Sequence, residues 1–267
     1  MKKLTLLLFL LPHVLLAQRD SVSLLLTKSL KNSGKDHVQS MLFHLESPEN
    51  GFLYSEGFGR DSKRGEPVSG DAQFRVASIT KTFLATLVLQ LAETRKLQLS
   101  DRASQYLQEI DYLNFGRLHL LQGQAFADSI TIEQLLQHRT GLADIFNDKG
   151  NKFYLGMYLH KKRQYSPRAI VEKYYQYQLN QTPHFAPGEG FFYSDMNYVL
   201  LGLIIEKIAQ KPLAAVLREQ ILDPLHLQNT FFEFYETLLS FVLFRLYSDM
   251  GIRYPLTTHA VKGEVMG

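Results

Sequence analysis

The chain has 267 residues, of which 45% are hydrophobic, so it is long enough to bury a substantial core. Its formal net charge is only +3, and the basic residues are spread along the chain, which argues against nucleic-acid binding. It contains no cysteine, so neither a disulfide framework nor cysteine lipidation is open to it.

The N-terminus has the pattern of a secretory signal peptide. A basic start precedes an apolar run that ends at Leu16, and the small residue Ala17 follows. The run is short for a membrane span and is interrupted at Pro12. We therefore expect residues 1–17 to be a signal peptide and the protein to be secreted or periplasmic. The alternative interpretation is an uncleaved anchor.

The rest of the chain, residues 18–267, is interpreted as one domain. Its first part predicts an amphipathic helix at 20–30, then a hairpin of two strands, 38–46 and 51–60, joined by a Ser-Pro-Glu-Asn turn. A mostly helical region of about 78–232 follows, with helices predicted at 131–137, 167–177, 195–209 and 213–222. This order predicts an α+β fold in which an antiparallel sheet is flanked by a helical region.

The first chemical signal surrounds Ser78. A short β-rich run, 73–76, leads through a small residue to this serine, and a helical pattern follows it. Residues three apart share a helix face, so the Lys81 amine is expected beside the Ser78 hydroxyl. A neighbouring base can activate a serine, and a helix N-terminus suits an oxyanion. The pattern alone fits a helix-capping serine with a solvated lysine equally well.

A second signal lies at Tyr193 and Asp195, after a Pro-Gly turn and just before a predicted helix. Side chains two apart on extended backbone point the same way. A phenol placed beside a serine and a lysine can relay a proton. The alternative interpretations are an ordinary helix N-cap for Asp195 and a core aromatic for Tyr193.

Together these segments resemble the serine β-lactamase and penicillin-binding-protein superfamily. The branch they resemble most contains class C β-lactamases, D-alanyl-D-alanine carboxypeptidases and family VIII esterases. Segment 78–81 resembles the Ser-x-x-Lys motif, and segment 193–195 resembles Tyr-x-Asn with Asp in place of Asn. Segments 135–142 and 223–231 resemble framework sequences of the family, and His138 within the first of them is interpreted as structural.

The resemblance implies a serine hydrolase that forms an acyl-enzyme on D-Ala-D-Ala peptides, β-lactams or small esters. Ser78 would be the nucleophile, Lys81 and Tyr193 would move the proton, and Asp195 would bind substrate. Because Asp lacks the amide donor of Asn, a peptidase or esterase is favoured over a true β-lactamase. No cofactor is implied, and the singly scattered histidines predict no metal site.

The family's third motif, Lys-Thr-Gly or His-x-Gly on a late strand, has no counterpart in the sequence after Phe232. We therefore expect an incomplete, C-terminally truncated domain that lacks the C-terminal strands of the sheet. Two alternative functions follow from this: a catalytically inactive protein that binds or senses peptidoglycan or β-lactams, and a non-functional fragment. The sequence contains no signal for the oligomeric state.

Overall fold

The computed structural model of the protein describes residues 20–30, 38–61, 65–159, 165–233 and 235. These residues belong to two compact units, which meet in sequence between Arg75 and Val76. The predicted signal peptide, residues 1–17, lies outside the described residues, as do residues 236–267, in whose sequence the third motif has no counterpart. No helix within the described part of the chain is long and apolar enough for a transmembrane span.

The first unit contains a helix, α1 (20–30), and an antiparallel hairpin. Its strands are β1 (Ser40–Ser47) and β2 (Phe52–Gly59), paired from Ser40 opposite Gly59 to Ser47 opposite Phe52. The turn between them is a 3-10 turn at Pro48–Asn50, closed by Gly51 at φ +60°, a conformation that glycine adopts without strain. The predicted helix and hairpin are therefore confirmed.

The second unit opens with a 3-10 turn, Ala77–Ile79, that runs directly into α2 (Thr80–Glu93). The prediction of a β-rich run at 73–76 is wrong, because these residues form no regular secondary structure. A strand requires a hydrogen-bonding neighbour, and none of the described strands pairs with this segment.

The remaining elements of the second unit are mostly helices. Thr131 caps α4 in a reciprocal capping box with Gln134, and Ser166 caps α6. The predicted helices at 131–137, 167–177 and 195–209 are confirmed to within one residue, and 213–222 continues from α-helix into a π-helical turn. The elements are α3 (Ser104–Leu107), β3 (Leu120–Leu121), β4 (Gln124–Ala125), α4 (Ile132–Leu136), α5 (Gly150–Leu159), α6 (Pro167–Gln176), α7 (Asp195–Ala209) and α8 (Leu213–Leu217) with its π-helical extension (Arg218–Leu222).

Helix α7 lies at the centre of the helical unit and packs against α2, α3, α4 and α8. Leu200, Leu201, Ile204 and Ile205 are fully buried, and each such side chain contributes about 1.5–3 kcal/mol through the apolar surface it removes from water. This packing holds α2 and α7 side by side. The two sequence motifs precede or begin these two helices, so the same core that stabilises the unit positions both motifs. Helices with small antiparallel sheets make this an α+β protein, as predicted.

Candidate active site

Ser78 lies in the 3-10 turn that immediately precedes α2, rather than inside the helix itself. Ala77, just before it, has φ +46°, a left-handed conformation that costs an L-residue about 1–2 kcal/mol. The turn is closed by a hydrogen bond from the Ile79 N–H to the Val76 carbonyl at 3.0 Å. This geometry leaves the serine hydroxyl above the first turn of α2, where the Lys81 Nζ lies 3.0 Å from the Ser78 Oγ.

Tyr193 reaches the same hydroxyl from the other motif. The chain is extended at Ser194, which is the N-cap of α7. The Tyr193 phenol donates a hydrogen bond to the Ser78 Oγ at 2.9 Å, across 115 residues of sequence. The structure therefore brings together the three side chains that the sequence assigned to the chemistry, with the Ser78 Oγ as the shared atom.

Asp195 is the first residue of α7 rather than its cap, and its carboxylate forms an ion pair with Lys81. Both side chains are largely buried, with 17% of Lys81 and 26% of Asp195 exposed. Burial acts to lower the pKa of Lys81, but the hydrogen bonds and charges of Asp195 and Tyr193 outweigh it and raise the pKa above its ordinary value of 10.5. Lys81 is therefore an ammonium at neutral pH.

His138 packs against Tyr193. Its ring stacks against the Tyr193 ring with centroids 4.4 Å apart. Its Nδ1 accepts hydrogen bonds from the Ser194 N–H at 3.2 Å and from the Asn197 amide at 3.1 Å, so the ring proton is assigned to Nε2. Burial, followed by the charge of Lys81, lowers the pKa of His138 and favours the neutral ring. The interpretation of His138 as structural agrees with these contacts, but its role in positioning Tyr193 was missed.

Asp144 is a second residue that sequence reasoning missed. Its side chain is fully buried, and its carboxylate accepts hydrogen bonds from the backbone N–H groups of Asp195 (2.6 Å), Asn147 (2.8 Å) and Phe146 (3.0 Å). Burial raises the pKa of Asp144, and the bonds from the backbone oppose this shift. The only signal in the sequence was its position, two residues after the framework segment 135–142.

The segment 138–144 is fastened to the chain that carries the tyrosine. The Ser194 hydroxyl donates to the Ala143 carbonyl at 2.9 Å. Gly141 has φ +75°, and a Cβ at this position would lie 1.9 Å from the Phe185 carbonyl oxygen. Only glycine allows this approach. The two segments are also joined by backbone hydrogen bonds from the His184 N–H to the Gly141 carbonyl at 2.8 Å and from the Phe192 N–H to the His138 carbonyl at 3.0 Å.

Within the described ranges, no three His, Asp or Glu side chains lie close enough together to hold a metal ion. The polar groups gathered at Ser78 are a hydroxyl, an ammonium and a phenol, a set that can carry out covalent acyl transfer.

Comparison with known proteins finds a family match over most of the chain. The Beta-lactamase family model matches residues 48–236, and a much shorter match, to the Pescadillo N-terminus, covers 217–265. Protein flp of Staphylococcus aureus (strain N315) is 30% identical over 69% of this chain and 33% of its own length. Penicillin-binding protein 4* of Bacillus subtilis (strain 168) is 27% identical over 67% of this chain and 35% of its own.

Among solved structures, a D-stereospecific amidohydrolase from Streptomyces sp. is 27% identical and superposes with a TM-score of 0.60, covering 76% of this chain and 54% of its own. The chain thus spans about one third of the length of the two relatives and about half of the solved structure. Since the family model covers most of the chain and the fold is shared, the chain belongs to the Beta-lactamase family.

Proposed function

We propose that the protein is a serine hydrolase that acts through an acyl-enzyme on Ser78. The observation that carries this proposal is the position of the Ser78 Oγ, which lies within 3.0 Å of both the Lys81 Nζ and the Tyr193 hydroxyl. A serine with two proton-carrying groups at hydrogen-bond distance has the geometry required of an activated nucleophile.

The two neighbours of Ser78 take different parts in the proposed reaction. Because Asp195 favours the ammonium form of Lys81, the lysine supplies positive charge beside Ser78. The reactive form is the one in which the Tyr193 phenol has released its own proton to water, and the phenolate oxygen then accepts the serine proton. The Ser78 Oγ then bonds to the substrate carbonyl carbon. Tyr193 returns the proton to the leaving nitrogen or oxygen as the scissile bond breaks. In the second half of the reaction, water attacks the acyl-enzyme while the Tyr193 oxygen accepts its proton. Tyr193 then returns that proton to the Ser78 Oγ as the acyl group leaves as an acid.

The oxyanion formed during attack requires hydrogen-bond donors. The backbone N–H of Ser78, in the 3-10 turn that precedes α2, is the donor that this part of the chain offers. One such donor is worth roughly two to three orders of magnitude in turnover. We propose that the Ser78 N–H is one of the two donors of an oxyanion hole.

D-Ala-D-Ala peptides, β-lactams and small esters are the proposed substrates. The names of two similar proteins support this range, one a penicillin-binding protein and the other a D-stereospecific amidohydrolase. The carboxylate of Asp195, where the family motif has an amide, favours a peptidase or esterase over a β-lactamase, because a carboxylate offers no donor to a substrate carbonyl. We also propose that the protein is exported, on the strength of the signal-peptide pattern at 1–17.

Two measurements on wild type and Ser78→Ala test this function: hydrolysis of p-nitrophenyl acetate, and labelling by fluorescent penicillin followed by intact-mass determination. Ser100→Ala, which removes an exposed hydroxyl elsewhere in the same unit, is the control. We expect turnover and an adduct in wild type and in the control, and neither in Ser78→Ala. Full activity of Ser78→Ala would refute the mechanism. Penicillin binding without an adduct would favour the inactive binding protein instead.

A further inference from the structure

A cleft outside the catalytic triad lies at the loop before α5 and the first turn of that helix. Its volume is about 340 Å³. Its lining combines two cationic side chains, one carboxylate, one amide and two aromatic rings, namely those of Lys149, Lys152, Asp148, Asn147, Phe146 and Tyr154. This is a large enough space for the side chain of a small substrate.

The charge of this cleft is positive. Neither Lys149 nor Lys152 has an ion-pair partner among the described residues. The single carboxylate of the lining, Asp148, is already engaged, since its Oδ2 lies 3.1 Å from the His184 Nε2 and accepts the Asp144 N–H at 2.7 Å. Two ammonium groups therefore remain for a ligand, and the chemistry they favour is an anion.

The cleft is joined to the active site through its own backbone. The Asp144 carboxylate binds the N–H groups of Phe146 and Asn147 on the cleft side and the N–H of Asp195 on the catalytic side. The Asn147 amide also donates to the Tyr193 carbonyl at 3.5 Å. The cleft wall and the turn that carries the catalytic phenol are therefore neighbours, held by one buried carboxylate.

We propose that the cleft is a subsite for a carboxylate carried by the substrate at a distance from the reacting carbonyl. The proposal rests on the proposed function and narrows its substrate class to anionic acyl compounds. Lys149 and Lys152 supply the charge, and the Asn147 amide supplies a neutral donor. The rings of Phe146 and Tyr154, with centroids 5.6 Å apart, offer apolar surface to the carbon chain that links the carboxylate to the ester or amide.

The test compares two esters that differ in one charge: mono-p-nitrophenyl glutarate, which has a free carboxylate, and its neutral methyl ester. The variant is Lys149→Gln/Lys152→Gln, and the control is Lys96→Gln, which removes an exposed charge beyond the far end of α2. Wild type should prefer the anionic ester up to about fivefold in kcat/KM at low salt, because one exposed ion pair contributes up to about a factor of five. The preference should shrink on adding salt.

In the double variant the preference should fall to about one, with turnover of the neutral ester unchanged, whereas Lys96→Gln should keep the wild-type ratio. Equal rates for both esters in wild type, or an undiminished preference in the double variant, would overturn the subsite.

A binding measurement separates this proposal from the catalytic one. Monomethyl glutarate, with one carboxylate, and dimethyl glutarate, with none, are titrated calorimetrically into Ser78→Ala with and without the two lysines. Lysine-dependent binding of the monomethyl ester without Ser78-dependent turnover would keep the subsite and refute the serine mechanism. Ser78-dependent turnover without a preference for the anionic ester would keep the serine mechanism and refute the subsite. If neither Ser78-dependent turnover nor lysine-dependent binding is found, both proposals are refuted.

Discussion

Replacing Tyr193 by phenylalanine removes the phenol oxygen and leaves the ring. The ring contacts are retained, since His138 stacks on it at 4.4 Å and the Lys81 Nζ lies 5.1 Å from its centroid. The hydroxyl itself is hydrogen-bonded to the Ser78 Oγ at 2.9 Å. The substitution therefore isolates proton transfer from packing.

The expected effects of Tyr193→Phe on stability and on activity differ in size. One partly exposed hydrogen bond contributes about 0.5–1 kcal/mol to the free energy of unfolding, so Tm should fall by no more than about 4 °C. Loss of a positioned general acid–base lowers kcat/KM by roughly 10²–10⁴, which corresponds to about 2.7–5.5 kcal/mol in the transition state. The activity loss should exceed the stability loss several times over.

The assay is kcat/KM for p-nitrophenyl acetate together with a thermal melt of the same sample. Tyr198→Phe is the matched control, because its ring also lies near His138 (5.2 Å) and the Lys81 Nζ (5.8 Å), but its hydroxyl donates to the Leu136 carbonyl. The control should keep wild-type activity. Retention of more than about a third of kcat/KM by Tyr193→Phe, or an equal loss of activity in both variants, would refute a role for the phenol in proton transfer.

Three further outcomes are expected. Burial lowers and Asp195 raises the pKa of Lys81. Because the pKa of Lys81 is higher in the folded protein than its ordinary value, the charged lysine stabilises the fold in full below pH 10.5. This contribution is lost as the pH rises through the pKa of Lys81 in the folded protein. In Asp195→Asn, both the loss of stability at high pH and the alkaline fall of kcat/KM should occur at lower pH than in wild type. An alkaline fall of kcat/KM at the wild-type pH would contradict this. Ala77→Gly should raise stability by about 0.5–1 kcal/mol, because relief of a positive φ exceeds the added unfolded-state entropy, and an unchanged Tm counts against it. Gly141→Ala should destabilise by about 2–4 kcal/mol in a urea melt, since its Cβ would meet the Phe185 carbonyl; a loss below about 0.5 kcal/mol would show that the backbone adapts.

The elements predicted well from sequence are those whose cause is local. Helix α7 was predicted at 195–209 and is observed at those bounds, because an apolar stripe at helical spacing follows a turn. The β1–β2 hairpin was predicted because alternating runs flank a Ser-Pro-Glu-Asn turn. The run at 73–76 has the same residue preferences but no partner strand among the residues that the structure describes, and β propensity depends on a partner.

The sequence by itself predicted the pairing of Ser78 with Lys81, because side chains three apart in a helical segment share a face. The pairing forms although Ser78 lies in a 3-10 turn, because that turn runs directly into α2. The resemblance to a known family pointed to Tyr193 as the third group of the site. Only the tertiary structure decided that α7 packs beside α2, which places the phenol 2.9 Å from the serine hydroxyl.

The same packing decided the roles of three residues that local patterns leave ambiguous. Asp195 forms an ion pair with Lys81, and Ser194 occupies the N-cap position of α7. The His138 ring stacks on the Tyr193 ring, and the buried Asp144 carboxylate accepts a hydrogen bond from the first N–H of α7. Each role depends on groups more than fifty residues away in sequence. Spacing along a chain cannot specify such contacts, because they form only when the apolar faces of separate helices are buried together.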